Sequence, residues 1–253
     1  MSEQTPLSLG TEDIKKLLMR YAVPAIVAMT AASLYNMMDS IFIGHGVGAL
    51  GIAGLAVTFP FINLAAAFGS LVGVGASTLV SVKMGQKDLK SAEAVLGNVL
   101  LLNTVIGFLF MTVCLIFLDP ILYFFGASAD TLPYARDYMK VILYGNLITH
   151  IYMGLNEVMR ASGYPQRAMM ATLFAVLING VLNALFIFVL DMGIKGAAIA
   201  SVLAEASSIL FFLIYTYISV DLKKYGLNRL RSFDPALLMR ILSISCFTML
   251  QYF

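Results

Sequence analysis

The stretch SLYNMMDSIFIG, Ser33 to Gly44, places Asp39 inside an apolar run that begins near Leu17 and carries no other charge after Arg20. The whole chain follows the same pattern: 60% of its 253 residues are hydrophobic and 12% are charged. A soluble domain carries about a quarter charged residues, so bulk water is not this protein's only solvent. A carboxylate at bilayer depth costs on the order of 2.5–3.5 kcal/mol on insertion scales, so Asp39 needs polar partners inside the protein.

Working outward from that stretch, apolar segments long enough to cross a bilayer occur at 17–43, 52–82, 95–118, 135–156, 167–190 and 196–219. Each reaches the roughly 20 residues that a spanning helix needs. A seventh segment starts near Pro235 and runs to Phe253. Short glycine-rich, charged or polar breaks separate them: GHGVGALG (44–51), KMGQKDLKSAE (83–93), GASADTLP (126–133), RASGYPQR (160–167) and DMGIKG (191–196). The expected fold is therefore all-α, a polytopic transmembrane bundle. Residues 1–16 read as a cytoplasmic N-terminal segment and 17–219 as a six-helix lobe. Residues 220–234 read as a cytoplasmic linker and 235–253 as a partial seventh transmembrane helix.

The charges orient the bundle. On the N-terminal side lie Lys15, Lys16, Arg20, Lys83, Lys87, Lys90, Arg160, Arg167, Lys223, Lys224, Arg229, Arg231 and Arg240, 13 of the 16 Lys and Arg residues. Arg136, Lys140 and Lys195 lie opposite. Basic loops favour the cytoplasm, which puts the N-terminus there. The segment LKKYGLNRLR (222–231) reads as a linker touching anionic headgroups rather than nucleic acid. Cys114 and Cys246 lie in apolar runs without CxxC spacing and read as packing residues. Dinucleotide-binding, P-loop and HExxH patterns are absent from the sequence, and no enzyme activity is expected.

Few polar residues remain at depth. Asn36 and Asp39 are spaced i, i+3; Asn179 and Asn183, like Ser201 and Glu205, are spaced i, i+4. Such pairs share a helix face. With alternating helix directions, Asp39, Asn183 and Ser201 fall at similar depth in the outer half. His150 and Glu205 lie deeper, as cavity-lining or packing groups. Pro24 and Pro60 fall inside spans and mark bends, and Pro24, on the helix of Asp39, is a candidate hinge.

Four segments together resemble the multidrug and toxic compound extrusion (MATE) transporters: YAVPAIVAMTAASLYNMMDSIFIGHGVGALGIAGLAVTFP (21–60), GVGASTLVSVKMGQKD (73–88), NEVMRASGYPQRAMM (156–170) and NGVLNALFIFVLDMGIKGAAIASVLAE (179–205). The resemblance implies one six-helix lobe of a two-lobed, twelve-helix antiporter that alternates access between its lobes. It implies export of amphiphilic, often cationic compounds driven by H⁺ or Na⁺, from a bacterial inner (plasma) membrane. A cation site is implied at Asp39, Asn179, Asn183 and Ser201, with Asn36, His150 and Glu205 as further cavity-lining residues. No cofactor beyond the coupling ion is implied. The second asparagine position is often aspartate in the family, so Asn183 removes a charge that Na⁺ would use. The expected partners are an amphiphilic small molecule, the lipid bilayer, and a missing C-terminal lobe or second copy. Two alternatives stand beside this reading. One is a lipid-linked oligosaccharide flippase of the same wider superfamily, whose cavities tend to be more cationic. The other is a non-transporting half-size assembly partner.

The charge asymmetry has a direct check. Tags at Ser2 and within 222–231 are expected to be cytoplasmic, and a cysteine replacing Ser128 is expected to react with an impermeant thiol reagent in intact cells. Protection of that cysteine would overturn the orientation.

Overall fold

The computed structural model describes residues 13–219 and 235–250, with side chains at all of these but 89, 93, 214–219 and 245–250. The expected N-terminal segment, apart from its last residues, and the linker at 220–234 lie outside the described residues. Among the described residues eight α-helices follow one another: α1 Ile14–Gly46, α2 Ala49–Gly85, α3 Leu89–Ile116, α4 Leu118–Phe124, α5 Leu132–Ala161, α6 Pro165–Asn183, α7 Gly193–Ser219 and α8 Pro235–Leu250. A π-helical turn, Ala184–Val189, extends α6. The fold is an all-α transmembrane bundle in which α1, α2, α3, α5, α6 and α7 form one six-helix lobe.

Local chemistry accounts for the helix ends. Asp88 caps α3 by accepting a hydrogen bond from the Ser91 amide at 3.2 Å. That bond, with Lys83 nearby, holds the Asp88 carboxyl below its ordinary range. Pro165 opens α6 at a position whose amide has no helical partner. Gly48, Gly126, Gly163 and Gly193 have positive φ at the breaks after α1, α4, α5 and the π turn. Glycine adopts that backbone without a Cβ penalty.

The third span ends two residues before its expected limit at 118 and begins earlier than expected, at Leu89. Phe117, at φ −105° and ψ 22°, ends α3, and the apolar residues beyond it form the separate short helix α4. Asp119 in the first turn of α4 accepts from Arg136 Nε at 2.7 Å and Nη2 at 2.5 Å, tying α4 to the start of α5. The guanidinium holds the Asp119 carboxyl below its ordinary range.

Five helices among the described residues are long and apolar enough to span a membrane: α1, α2, α3, α6 with its π turn, and α7. The sixth helix of the lobe, α5, is 30 residues long but more polar. Its position explains why. It packs against α2, α3, α6 and α7, so its Asn146 and His150 are buried in protein rather than lipid. By contrast α1 is loosely held: 11% of its apolar window is buried, against 44% for α7.

Lipid tails are as apolar as leucine, so close packing rather than the hydrophobic effect holds such helices together. Glycines make the packing possible where backbones meet. A Cβ on Gly145 of α5 would come within 2.2 Å of Val202 Cγ2 on α7, and one on Gly154 would meet the Asn103 amide of α3 at 2.0 Å. Valine is stiff and cannot swing away. Gly145→Ala is therefore expected to destabilise the lobe by about 1–3 kcal/mol. Gly85→Ala, which meets nothing within 4 Å, is expected to be close to neutral. Thermal unfolding in detergent checks both, and equal stability of the two variants would show that the α5–α7 seam is not tightly packed.

Candidate functional site

The site is built from three helices that meet at one depth. Asp39 projects from α1, Asn179 and Asn183 from consecutive turns of α6, and Ser201 from α7. All four are buried, with Asp39 4% exposed and both asparagines at 0%. Small residues let the helices come this close: α7 begins GIKGAAIAS, and Ala197, Ala198 and Ala200 are fully buried.

The four side chains close a hydrogen-bonded ring. Asn183 Nδ2 donates to Asp39 Oδ1 at 2.5 Å and to Asn179 Oδ1 at 3.0 Å. Asn179 Nδ2 donates to Ser201 Oγ at 3.2 Å, and Ser201 Oγ donates to Asp39 Oδ2 at 3.2 Å. Every donor in the ring is thus directed, at one or two removes, toward the carboxylate. Hydrogen bonds to a charged acceptor contribute about 1.5–3 kcal/mol each. Two of them are of the size needed to offset the insertion cost of the aspartate. The ring leaves one polar atom over: Asn183 Oδ1 is buried without a partner among the described residues.

The sequence reading placed these four residues together, and the structure brings them into contact. It places the other candidates elsewhere. Asn36 is exposed on α1 and stays out of the ring. At 100° per residue an i, i+3 step leaves it about 60° around the helix from Asp39. His150 is fully buried on α5, against Gly69 of α2 and Gly107 of α3. Its Nδ1 pairs with the Asn146 carbonyl at 2.9 Å, and its Nε2 has no partner among the described residues. It lies in a helix seam, away from the Asp39 ring. Glu205 accepts from Thr149 Oγ1 of α5 at 2.5 Å. Pro24 is buried in α1, which continues unbroken through it.

Three residues near the ring were not singled out from the sequence. Tyr35, one turn before Asp39, and Tyr138 on α5 lie within electrostatic range of both Asp39 and Glu205. Thr149 is the donor that receives Glu205. Tyrosine and threonine are common on packed helices, and only Tyr35, spaced i, i+4 from Asp39, carries a positional signal. The π turn directly after Asn183 was also unforeseen. It widens the helix where the ring ends, and its Ile187 packs against Gly46 at the end of α1. Such turns are frequent at functional sites.

Chemically, the ring is a single buried acid surrounded by neutral donors and acceptors. Among the described residues no three His, Cys, Asp or Glu side chains converge as metal ligands. A hard cation would draw on Asp39, the two asparagine carbonyls and Ser201, and would require amide donors to turn away. A proton on Asp39 requires one acceptor, and Asn183 Oδ1 is uncommitted.

Comparison with known proteins agrees with this architecture. Residues 24–185 match the MatE family. The multidrug export protein MepA of Staphylococcus haemolyticus (strain JCSC1435) is 30% identical over 215 residues, covering 85% of this chain and 48% of that protein. A multidrug resistance MATE family transporter of the MOP superfamily, solved in an outward-facing conformation, superposes with a TM-score of 0.86 at 28% identity. The match covers 98% of this chain and 55% of that one. A MOP superfamily transporter from Pyrococcus furiosus Vc1 (DSM3638), for which a reversed binding-pocket polarity is described, gives the same TM-score, identity and coverage. The chain spans about half the length of the relatives it matches. With its matched helices, its lobe architecture and its half-length span, the chain belongs to the MatE family of multi-pass membrane transporters.

Proposed function

We propose that this chain is the ion-coupling lobe of an antiporter that exports amphiphilic, often cationic compounds in exchange for protons. The Asp39 ring carries the reading. It presents one ionisable group, fully enclosed, whose only hydrogen bonds come from helices other than its own. Structural adhesion between membrane helices needs no ionisable group, since amides and hydroxyls suffice. Cationic cargo is favoured over an anionic lipid headgroup because no Lys or Arg is buried among the described residues.

The mechanism follows from the bonds. With Asp39 ionised, Asn183 and Ser201 hold the outer half of α1 against α6 and α7. A proton on Asp39 turns one acceptor oxygen into a donor and removes the charge that strengthens both bonds, which weakens or reverses them. The change is about 1.5–3 kcal/mol per bond. That is comparable with the few kcal/mol that separate alternate conformations of a protein. Helix α1 is free to respond, being mostly uncovered on its remaining faces. Pro24 lacks the amide that would tie it to the preceding turn, so it serves as the hinge. Bending of α1 then changes the shape of the cavity wall, and access alternates across the cleft to a second lobe. That lobe is supplied by a C-terminal continuation or a second copy. The protein works in a bacterial plasma membrane with its N-terminus in the cytoplasm, as the basic loops indicate.

Sodium is the second coupling ion to consider, because Asn183, whose amide nitrogen touches Asp39, has an oxygen without a hydrogen-bond partner among the described residues. A single formal charge with amide donors already turned inward suits H⁺ better. The test is ethidium transport in proteoliposomes holding the complete transporter under imposed pH or Na⁺ gradients. Asp39→Asn is expected to abolish gradient-driven transport while leaving membrane insertion intact. Asn183→Asp is expected to raise Na⁺ dependence by adding a second carboxylate. Wild-type rates in Asp39→Asn would refute the site, and drive by Na⁺ alone would refute the proton.

A further inference from the structure

We infer that the π turn Ala184–Val189 is a releasable clasp on the C-terminal end of α1. Wound as a π turn it holds that end against α6, and rewinding it to α-helical geometry lets the end go. The inference concerns how α1 is held and does not depend on which ion Asp39 binds.

Three contacts between α1 and α6 with its π turn climb in order along both segments, so the two run parallel. Met38 Cε lies 2.6 Å from where a Cβ on Gly180 would stand, Asn183 Nδ2 meets Asp39 Oδ1 at 2.5 Å, and Ile187 Cγ2 lies 2.1 Å from where a Cβ on Gly46 would stand. Only glycine at position 46 admits Ile187 this closely. Ile187 is buried in one cluster with the fully buried Ile43. Phe188 reaches α1 as well. Its Cε1 lies 3.2 Å from the same Cβ position on Gly46, and its ring centre is 5.8 Å from that of Phe42. Two neighbouring side chains of the turn therefore close on one glycine.

That pairing is a consequence of the winding. An α-helix turns about 100° per residue, which puts Ile187 about 40° around from Asn183 and Phe188 about 140° around, on the side away from α1. A π turn, with hydrogen bonds from i to i+5, winds less per residue. It keeps Ile187 near the Asn183 face and brings Phe188 round to join it. With α winding, the clasp loses Phe188.

The bonds that end the turn permit the exchange. The Leu190 amide donates to the Leu185 carbonyl, five residues back, at 3.0 Å, and the Met192 amide donates to the Phe186 carbonyl at 2.9 Å. In α geometry the Phe186 carbonyl is the acceptor for Leu190. Rewinding passes each carbonyl to the amide one residue nearer and leaves over the amide of Met192. That residue lies in the break before α7 and is 38% exposed, so water takes its amide and no buried backbone group is orphaned. The neighbouring Asp191 and Gly193 have positive φ, which marks this break as the place where the helical winding stops. Little else restrains α1, since 11% of its apolar window is buried. A close-packed contact that is either made or lost gives two discrete arrangements rather than a gradual drift.

The experiment measures the distance between spin labels at His45→Cys on α1 and Asp130→Cys before α5, in the complete transporter, free of other cysteines and held in lipid nanodiscs. The unsubstituted clasp is expected to give a held and a longer, released distance. Gly46→Ala, whose methyl takes the place of Ile187, is expected to shift the population to the longer distance, and adding Ile187→Ala is expected to shift it back. Phe188→Ala is expected to favour the longer distance too, and because it only removes atoms it carries the test should Gly46→Ala fail to fold. Hydrogen exchange across 184–192, followed on the same variants without labels, is expected to quicken wherever the longer distance grows. A single distance in every variant, no effect of Phe188→Ala, or no restoration by Ile187→Ala would overturn the clasp. A shift in distance with unchanged exchange across 184–192 would overturn release by rewinding. Neither readout uses transport or an ion gradient, so both stand or fall apart from the coupling role of Asp39.

Discussion

A carboxylate placed in a membrane must be met by donors from other helices, and that constraint organises this lobe. Asp39 is held by Asn183 of α6 and Ser201 of α7, and Asn179 links those two to each other. For the ring to close, α6 and α7 must bring their polar faces to the depth of Asp39. The small residues at the start of α7 allow this, and the buried alanines Ala197, Ala198 and Ala200 leave no bulk between the backbones. The π turn then begins at the residue after Asn183, where the helix has just delivered its last ring member.

The same bonds create an asymmetry of attachment. Helix α5 is enclosed by four neighbours and acts as the fixed axis of the lobe. Its glycines admit side chains from α3 and α7, and its own side chains sit on glycines of α2, so it cannot shift without repacking them. Helix α1 has the opposite character. It is largely uncovered, contains Pro24, and is tied near its C-terminal end by hydrogen bonds to one carboxyl, that of Asp39. Under the proposed proton coupling, a rigid axis beside a conditionally tethered helix would form a two-state element.

Much of this was legible from the residues. Hydropathy located the spans, and the alternation of basic loops supported α5, whose own composition is the least apolar. The ring was legible because Asn179, Asn183, Ser201 and Asp39 stand out as polar residues in apolar helices with face-sharing spacings. What escaped has physical causes. The short helix α4 lies beyond the run that ends at 118, and seven residues that include Asp119 and Pro120 are too few to register as a span in hydropathy. Tyr35, Tyr138 and Thr149 carry hydroxyls that matter only through the carboxyls they approach, and that approach is tertiary. The π turn has no sequence period of its own.

The central claim is that Asp39 exchanges its proton against the exported cation. Its most direct test is to count protons released when ethidium binds to the complete purified transporter in weakly buffered solution. Near the midpoint of Asp39 ionisation the wild type is expected to release protons on binding, and Asp39→Asn is expected to bind without that release. Equal proton release from both proteins, or binding by the wild type with none, would contradict the account.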